Sequence, residues 1–406
     1  MKKSASAFTA LLCCSALFAV SAQSVRAANE AINISNPAIE QDALAEGAAT
    51  KTGFIAAWSH GEITGPTTIM ARQYDQYRKP VKPPIILEPK KIAVGYVELL
   101  SLNADTVAAF WARGETIVGG LISLSQNKIS GIKSIDQPED LIHDTALMTN
   151  GNIAMVMDKA DISDPFDLRE KISFLILSPS LNVIKKATSV HEQGVPLDGW
   201  NTFDHTITEL QTGGLVLFRN RSTGDLMARK FGASGGLLGN VYRINVTPMP
   251  LGSVFDFMTF NVKAARLKDN KIAVVWTSME GSGIDKWEIR ARILDSSGKP
   301  LGSDFRVNTA KAGSQLSPDI LALPNGDFCI TWVSSVGVGR SYLYRTYHAN
   351  GAPVFNPRIS EEVPIYLSLT QETESVLLSN GSLITIMDGY GFPGPLRADK
   401  ISQIAK

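Results

Sequence analysis

With three cysteines in 406 residues, a disulfide framework is excluded, and two of them, Cys13 and Cys14, fall in an apolar stretch near the N-terminus. Charge of one sign is lacking too. The chain carries 39 Lys+Arg against 39 Asp+Glu, and only 19% of its residues are charged. That balance gives no electrostatic reason to seek nucleic acid or an anionic membrane. At 44% hydrophobic, the chain is too apolar to be disordered. Long apolar runs are absent: Ala7–Val20 is too short, and too rich in small residues, to anchor in a bilayer. Helical periodicity is almost missing, whereas Gly and Pro together reach 53, as turn-rich β structure requires.

The N-terminus reads as an address. Lys2 and Lys3 form a positive start, Ala7–Val20 an apolar core, and Ser21-Ala22 and Val25-Arg26-Ala27 two small-residue cleavage sites. A secretory signal peptide over residues 1–27 is expected, cut after Ala22 or Ala27. Lipidation at Cys13 or Cys14 is not expected, because Leu12 or Cys13 stands where a small residue belongs. Loss of Lys2, Lys3 and Arg26 leaves 36 basic against 39 acidic residues, net −3. The mature chain, 28–406, then has one cysteine, no intramolecular disulfide and no transmembrane segment, and works in the periplasm or outside the cell. Cys329, in the run Asp327–Trp332, reads as a small buried hydrophobe.

A repeat runs along the mature chain. Its clearest copy is Leu323-Pro-Asn-Gly-Asp-Phe-Cys-Ile-Thr-Trp332, an Asn-Gly turn followed by an apolar run that ends in a large residue. Related runs end at 58, 111, 157, 219, 276, 332 and 387, with spacings of 53, 46, 62, 57, 56 and 55. A second motif follows the stronger copies: a strand with Ala-Arg, a Gly or Asn turn, and a further strand, as in Glu288–Asn308. Each unit holds about four short antiparallel strands, the pattern of β-propeller blades. The expected fold is all-β, a seven-bladed propeller of four-stranded blades, formed by 28–406 as one domain. Residues 30–36 are expected to supply the missing outer strand of the last blade and so close the ring. Tandem β-sandwiches are the alternative; they leave the repeat unexplained and find no linker, since Lys79-Pro-Val-Lys-Pro-Pro84 falls inside a unit.

The repeat resembles those of large bacterial cell-surface and secreted proteins, in which an Asn-Gly turn, an apolar run ending in Trp, an Ala-Arg strand, an Asp-x-x-Gly turn and a Phe-x-Val-Asn ending recur. Residues 267–308 and 311–360 carry the likeness best. It implies an exported blade scaffold and no particular chemistry.

Catalytic motifs are missing. Gly232-Ala-Ser234-Gly-Gly236 matches the nucleophile elbow by letter, but it aligns with the hairpin turns Asp295–Gly298 and His348–Gly351. The five histidines, 60, 143, 191, 205 and 348, have no metal-ligand spacing. Trp58, Trp111, Trp276 and Trp332 read as core, and Arg72, Arg229, Arg292 and Arg345, recurring in register, as fasteners between blades. The remaining candidates sit about one strand ahead of the turns: Asp42, Glu98, His143, Asp144, Asp204, His205, Asp256, Asp319 and Glu374. Pointing into a central channel, they would form an acidic collar for a polar ligand or a hard cation such as Ca²⁺. The function expected is non-enzymatic binding of an envelope or extracellular protein or glycan. A hydrolase or lyase acting on a carbohydrate or ester through these groups is the second reading.

Overall fold

The computed structural model describes residues 32–33, 41–61, 67–91, 97–113, 116–138, 140–159, 172–190, 205–220, 223–246, 261–279, 287–309, 313–336, 339–354, 373–387 and 397–401. They are all β-strand and turn. Six sheets have four antiparallel strands each. Five of these run in chain order, over residues 41–91, 97–138, 140–189, 205–243 and 262–306. The sixth joins Thr373–Leu377, Leu383–Met387 and Arg397–Ile401 to Ile32–Asn33.

The first strand of each sheet touches the first strand of the next, and Thr373–Leu377 returns to Gln41–Thr50. The ring is therefore closed, which is a β-propeller and not a row of sandwiches. Apolar cores lie between neighbouring sheets all round it. One joins Ile55 and Ile69 to Leu99 and Trp111, and the closing one joins Phe54 and Trp58 to Val376 and Ile384. No helix among the described residues is long and apolar enough to cross a membrane.

The expectation of seven four-stranded blades is corrected: six are found among the described residues. Ser314–Ala322, Phe328–Val336 and Gly339–Tyr347 form a sheet of three strands. Beyond it, Pro353 makes an isolated bridge to Tyr347 and Val354 N bonds Thr346 O at 2.9 Å, and residues 355–372 lie outside the described residues. The terminal large residue of the 205–243 unit is also corrected. Phe218 is buried in the core, opposite His205, and Arg219 lies one place beyond it.

Several of the repeat residues have a structural task. Gly151, Gly326 and Gly381 hold φ of +81°, +96° and +79° in the Asn-Gly turns, a region that side chains disfavour. The four tryptophans are 0–5% exposed and pack toward the preceding sheet. Arg292 Nη1 donates to Ile244 O, and Arg345 Nη1 donates to Val307 O at 3.1 Å, each reaching a carbonyl of the sheet before. The Asn ending the repeat accepts a backbone N–H of its own sheet: Leu226 N to Asn245 and Ile289 N to Asn308, both 2.9 Å. Gly232–Gly236 is a hairpin turn, closed by Gly235 N to Gly232 O at 2.8 Å. At the termini, Ile32 and Asn33 pair antiparallel with Ala398 and Arg397, so the N-terminal clasp is present. The signal segment lies outside the described residues.

Candidate functional site

The first strands line the axis, and their register sets one level of the channel. On the second strand of each sheet, the residue just before the terminal large one pairs with Glu46, Glu98, Asp144, Thr206, Lys263, Asp319 or Glu374. These positions therefore stand at equal height round the ring. Bulges fall immediately before three of them, between Ala43 and Glu46, Ile142 and Asp144, and Leu316 and Asp319. A bulge re-aims the side chain that follows it.

Where the contacts are described, the carboxylates reach sideways to the next first strand. Asp144 accepts Thr145 N at 2.8 Å through one oxygen, and Ile207 N at 3.1 Å and the Thr206 hydroxyl through the other. Asp319 repeats the arrangement, accepting Ile320 N at 2.7 Å and Ser375 N at 2.9 Å. Ser375 is in turn bonded to Tyr342 Oη at 2.8 Å and Thr331 Oγ1 at 3.1 Å, all buried. Glu98 accepts the Thr145 hydroxyl at 3.0 Å. These carboxyl groups fasten each first strand to the next through hydrogen bonds.

The electrostatics follow from crowding. The ring of strands shuts bulk water away from Glu98, and the Asp144 charge opposes a second one nearby. Burial first and Asp144 second push the Glu98 carboxyl up to about 8, against the pull of Lys263 and the Thr145 bonds. Burial also raises Asp319, opposed chiefly by Lys263. Lys263 thus acts on carboxylates of two separate sheets, so its charge is shared across the ring.

Of the expected site residues, Glu98, Asp144, Asp319 and Glu374 share this level. His205 is buried one position earlier on its strand, opposite Phe218. His143 falls in the bulge before Asp144. Asp42 pairs with His60, on the far side of a bulge from Glu46, and so leaves the level. Asp204 and Asp256 lie outside the described residues. Glu46, Thr206 and Lys263 belong to the level but were not singled out by an acidic-residue pattern. Counting register back from the terminal aromatic finds all three. Among the described residues, no three His, Cys, Asp or Glu side chains are grouped to hold a metal ion, so the Ca²⁺ expectation gains no support from geometry. Cys329 is fully buried, and burial raises its thiol well above the usual range, as expected of a packing residue.

No protein-family model matches the chain, and no curated protein is similar to it in sequence. Solved structures share its fold. A protein of unknown function from Dyadobacter fermentans is 12% identical with a TM-score of 0.51, over 78% of this chain and 97% of that one. The polysaccharide lyase Uly1 is 8% identical with a TM-score of 0.53, over 91% of each chain. A PL25 ulvan lyase bound to -[GlcA(1-4)Rha3S]- is 8% identical with a TM-score of 0.52, over 90% of this chain and 95% of that one. At such identities the likeness is one of fold.

Proposed function

We propose that this is an exported propeller that binds a glycan in its channel without transforming it. The observation that carries the reading is the level shared by Glu46, Glu98, Asp144, Thr206, Lys263, Asp319 and Glu374, a closed ring of polar groups on a rigid scaffold. Carboxylates facing a channel accept sugar hydroxyls well, and preorganised acceptors favour binding. Glu46, Asp144 and Asp319 outnumber Lys263 even with Glu98 protonated, which disfavours a polyanion, so the glycan is uncharged or carries an amino group. Asp144 and Asp319 are held by backbone amides at fixed positions, which suits recognition more than proton shuttling. Polysaccharide lyases with this fold support a carbohydrate ligand. The leader-like residues 1–27 and the likeness of the repeat to those of surface and secreted proteins support a periplasmic or extracellular setting.

Calorimetry of the mature protein against neutral, amino and uronic glycans tests the proposal. Heat with a neutral or amino glycan, weakened in a Glu98→Gln protein that keeps its melting curve, is the expected result. Heat with none of the panel overturns it.

One observation favours the enzymatic reading. With its carboxyl pushed up to about 8, Glu98 carries a proton at neutral pH, as a general acid does. Release of reducing or unsaturated chain ends by the wild type, lost in Glu98→Gln, would replace binding by hydrolysis or elimination.

A further inference from the structure

The hairpin after the third strand of the 41–91 sheet differs from its counterparts. Residues 76–84 separate its strands, whereas 295–299 and 178–182 suffice in two other sheets. Three prolines, 80, 83 and 84, stiffen it. It is also pinned. Asp75 Oδ1 accepts Tyr77 N at 2.8 Å and Lys79 N at 2.9 Å. Lys82 Nζ donates to Leu124 O at 2.8 Å and Ser125 O at 2.6 Å in the next sheet, and Asn127 Nδ2 donates to Pro83 O at 3.0 Å.

On this fixed platform stand the largest exposed apolar groups of the sheet: Tyr77 at 65%, Ile86 at 55% and Val81 at 50%. Lys79 is exposed beside them. Charge there is one-sided in a chain that is otherwise balanced. Residues 75–91 contain Arg78, Lys79, Lys82, Lys90 and Lys91 against Asp75 and Glu88. Glu88 is buried and taken up by Arg113 and the Trp111 indole, so it does not offset the surface charge. Gln76 N bonds Thr52 O, which puts the hairpin beside the tight turns, at the opposite end of the first strands from their starts.

We propose that the hairpin of Tyr77, Lys79, Val81 and Ile86 is a docking surface for an anionic polysaccharide, separate from the channel. An exposed aromatic ring stacks on the C–H face of a sugar, and neighbouring cations meet its carboxylate or sulfate. The charge argues for a polyanion, and the pinned backbone lowers the ordering cost of binding. The channel and the hairpin thus take sugars of opposite electrostatic character, and neither proposal rests on the other.

Affinity electrophoresis of the full chain through gels containing polygalacturonate or neutral dextran tests it, with flotation on phosphatidylcholine–phosphatidylglycerol vesicles as a second arm. Polygalacturonate should retard the wild type and dextran should not. Tyr77→Ala and Lys79→Ala should each weaken the retardation about threefold or more, and Tyr77→Phe should keep it. Unchanged melting curves for these surface variants exclude a folding defect. Equal retardation of wild type and both alanine variants, no retardation of the wild type, or flotation with the vesicles in place of retardation overturns the proposal. Failure of the channel proposal is read from a different probe, the uncharged and amino glycans.

Discussion

Glu98 ties the pH behaviour of the channel to the stability of the fold. Its carboxyl is raised from an ordinary 4.5 to about 8 in the folded chain. Between those values the folded state holds a proton that the unfolded state has lost, so stability falls as pH rises through the window. Glu98→Gln removes the titration. Urea midpoints should decline less between about pH 5 and pH 8.5 in the variant than in the wild type. Parallel declines would mean that another group dominates. Asp319 carries a different load, because its two oxygens satisfy Ile320 N and Ser375 N in the interior. Asp319→Ala leaves both amides unpaired and should cost about 2–4 kcal/mol in denaturant unfolding. Asp319→Asn keeps one acceptor and should cost less. Equal losses would show that packing, not hydrogen bonding, holds the seam.

At the scale of strands and turns, close backbone approach decides which glycines matter. A Cβ on Gly213 would lie 2.0 Å from Phe231 O, and its φ of +142° already disfavours a side chain. At Gly236 nothing lies within 4 Å of the added atom, although the residue belongs to the hairpin turn of the same sheet. Gly213→Ala should therefore lose about 2 kcal/mol or more, and Gly236→Ala well under 1 kcal/mol, in parallel urea titrations. Such local rules are what made the architecture legible. Asn-Gly turns and apolar runs ending in tryptophan announce strands and their spacing; of the recurring arginines, Arg292 and Arg345 reach the sheet before, whereas Arg72 Nε bonds Lys82 O in its own unit. The fourth-strand count differs in the sheet of residues 314–347, whose described continuation ends at residue 354. The channel level was legible in part. Glu98, Asp144, Asp319 and Glu374 were picked out by charge, but Thr206 and Lys263 are placed by register alone. Bulges before Glu46, Asp144 and Asp319 shift the count by a residue or two, and a bulge has no reliable sequence mark.

For the whole molecule, closure is the step that makes a ring of marginal sheets cooperative. Every interface between neighbouring sheets has its own apolar core, and the closing one unites Phe54, Trp58 and Tyr74 with Val376, Leu378 and Ile386. Gly47 faces that seam closely: a Cβ there would come within 2.8 Å of Val376 and nearer still to Ile386. The edge of the last sheet, Arg397–Ile401, is covered where Ile32 and Asn33 add their backbone to Ala398 and Arg397. Without that cover a strand edge is open, and the tie between the two ends of the chain is cut. Deleting residues 28–38 should lower the melting temperature by about 5 °C or more and broaden the transition, because the last sheet then frays before the rest. Supplying residues 28–38 as a free peptide should restore part of the loss in a concentration-dependent way, since the peptide binds only the folded ring. An unchanged, equally sharp melting curve in the deletion would show that the interface core of Phe54, Trp58 and Ile384 closes the ring alone.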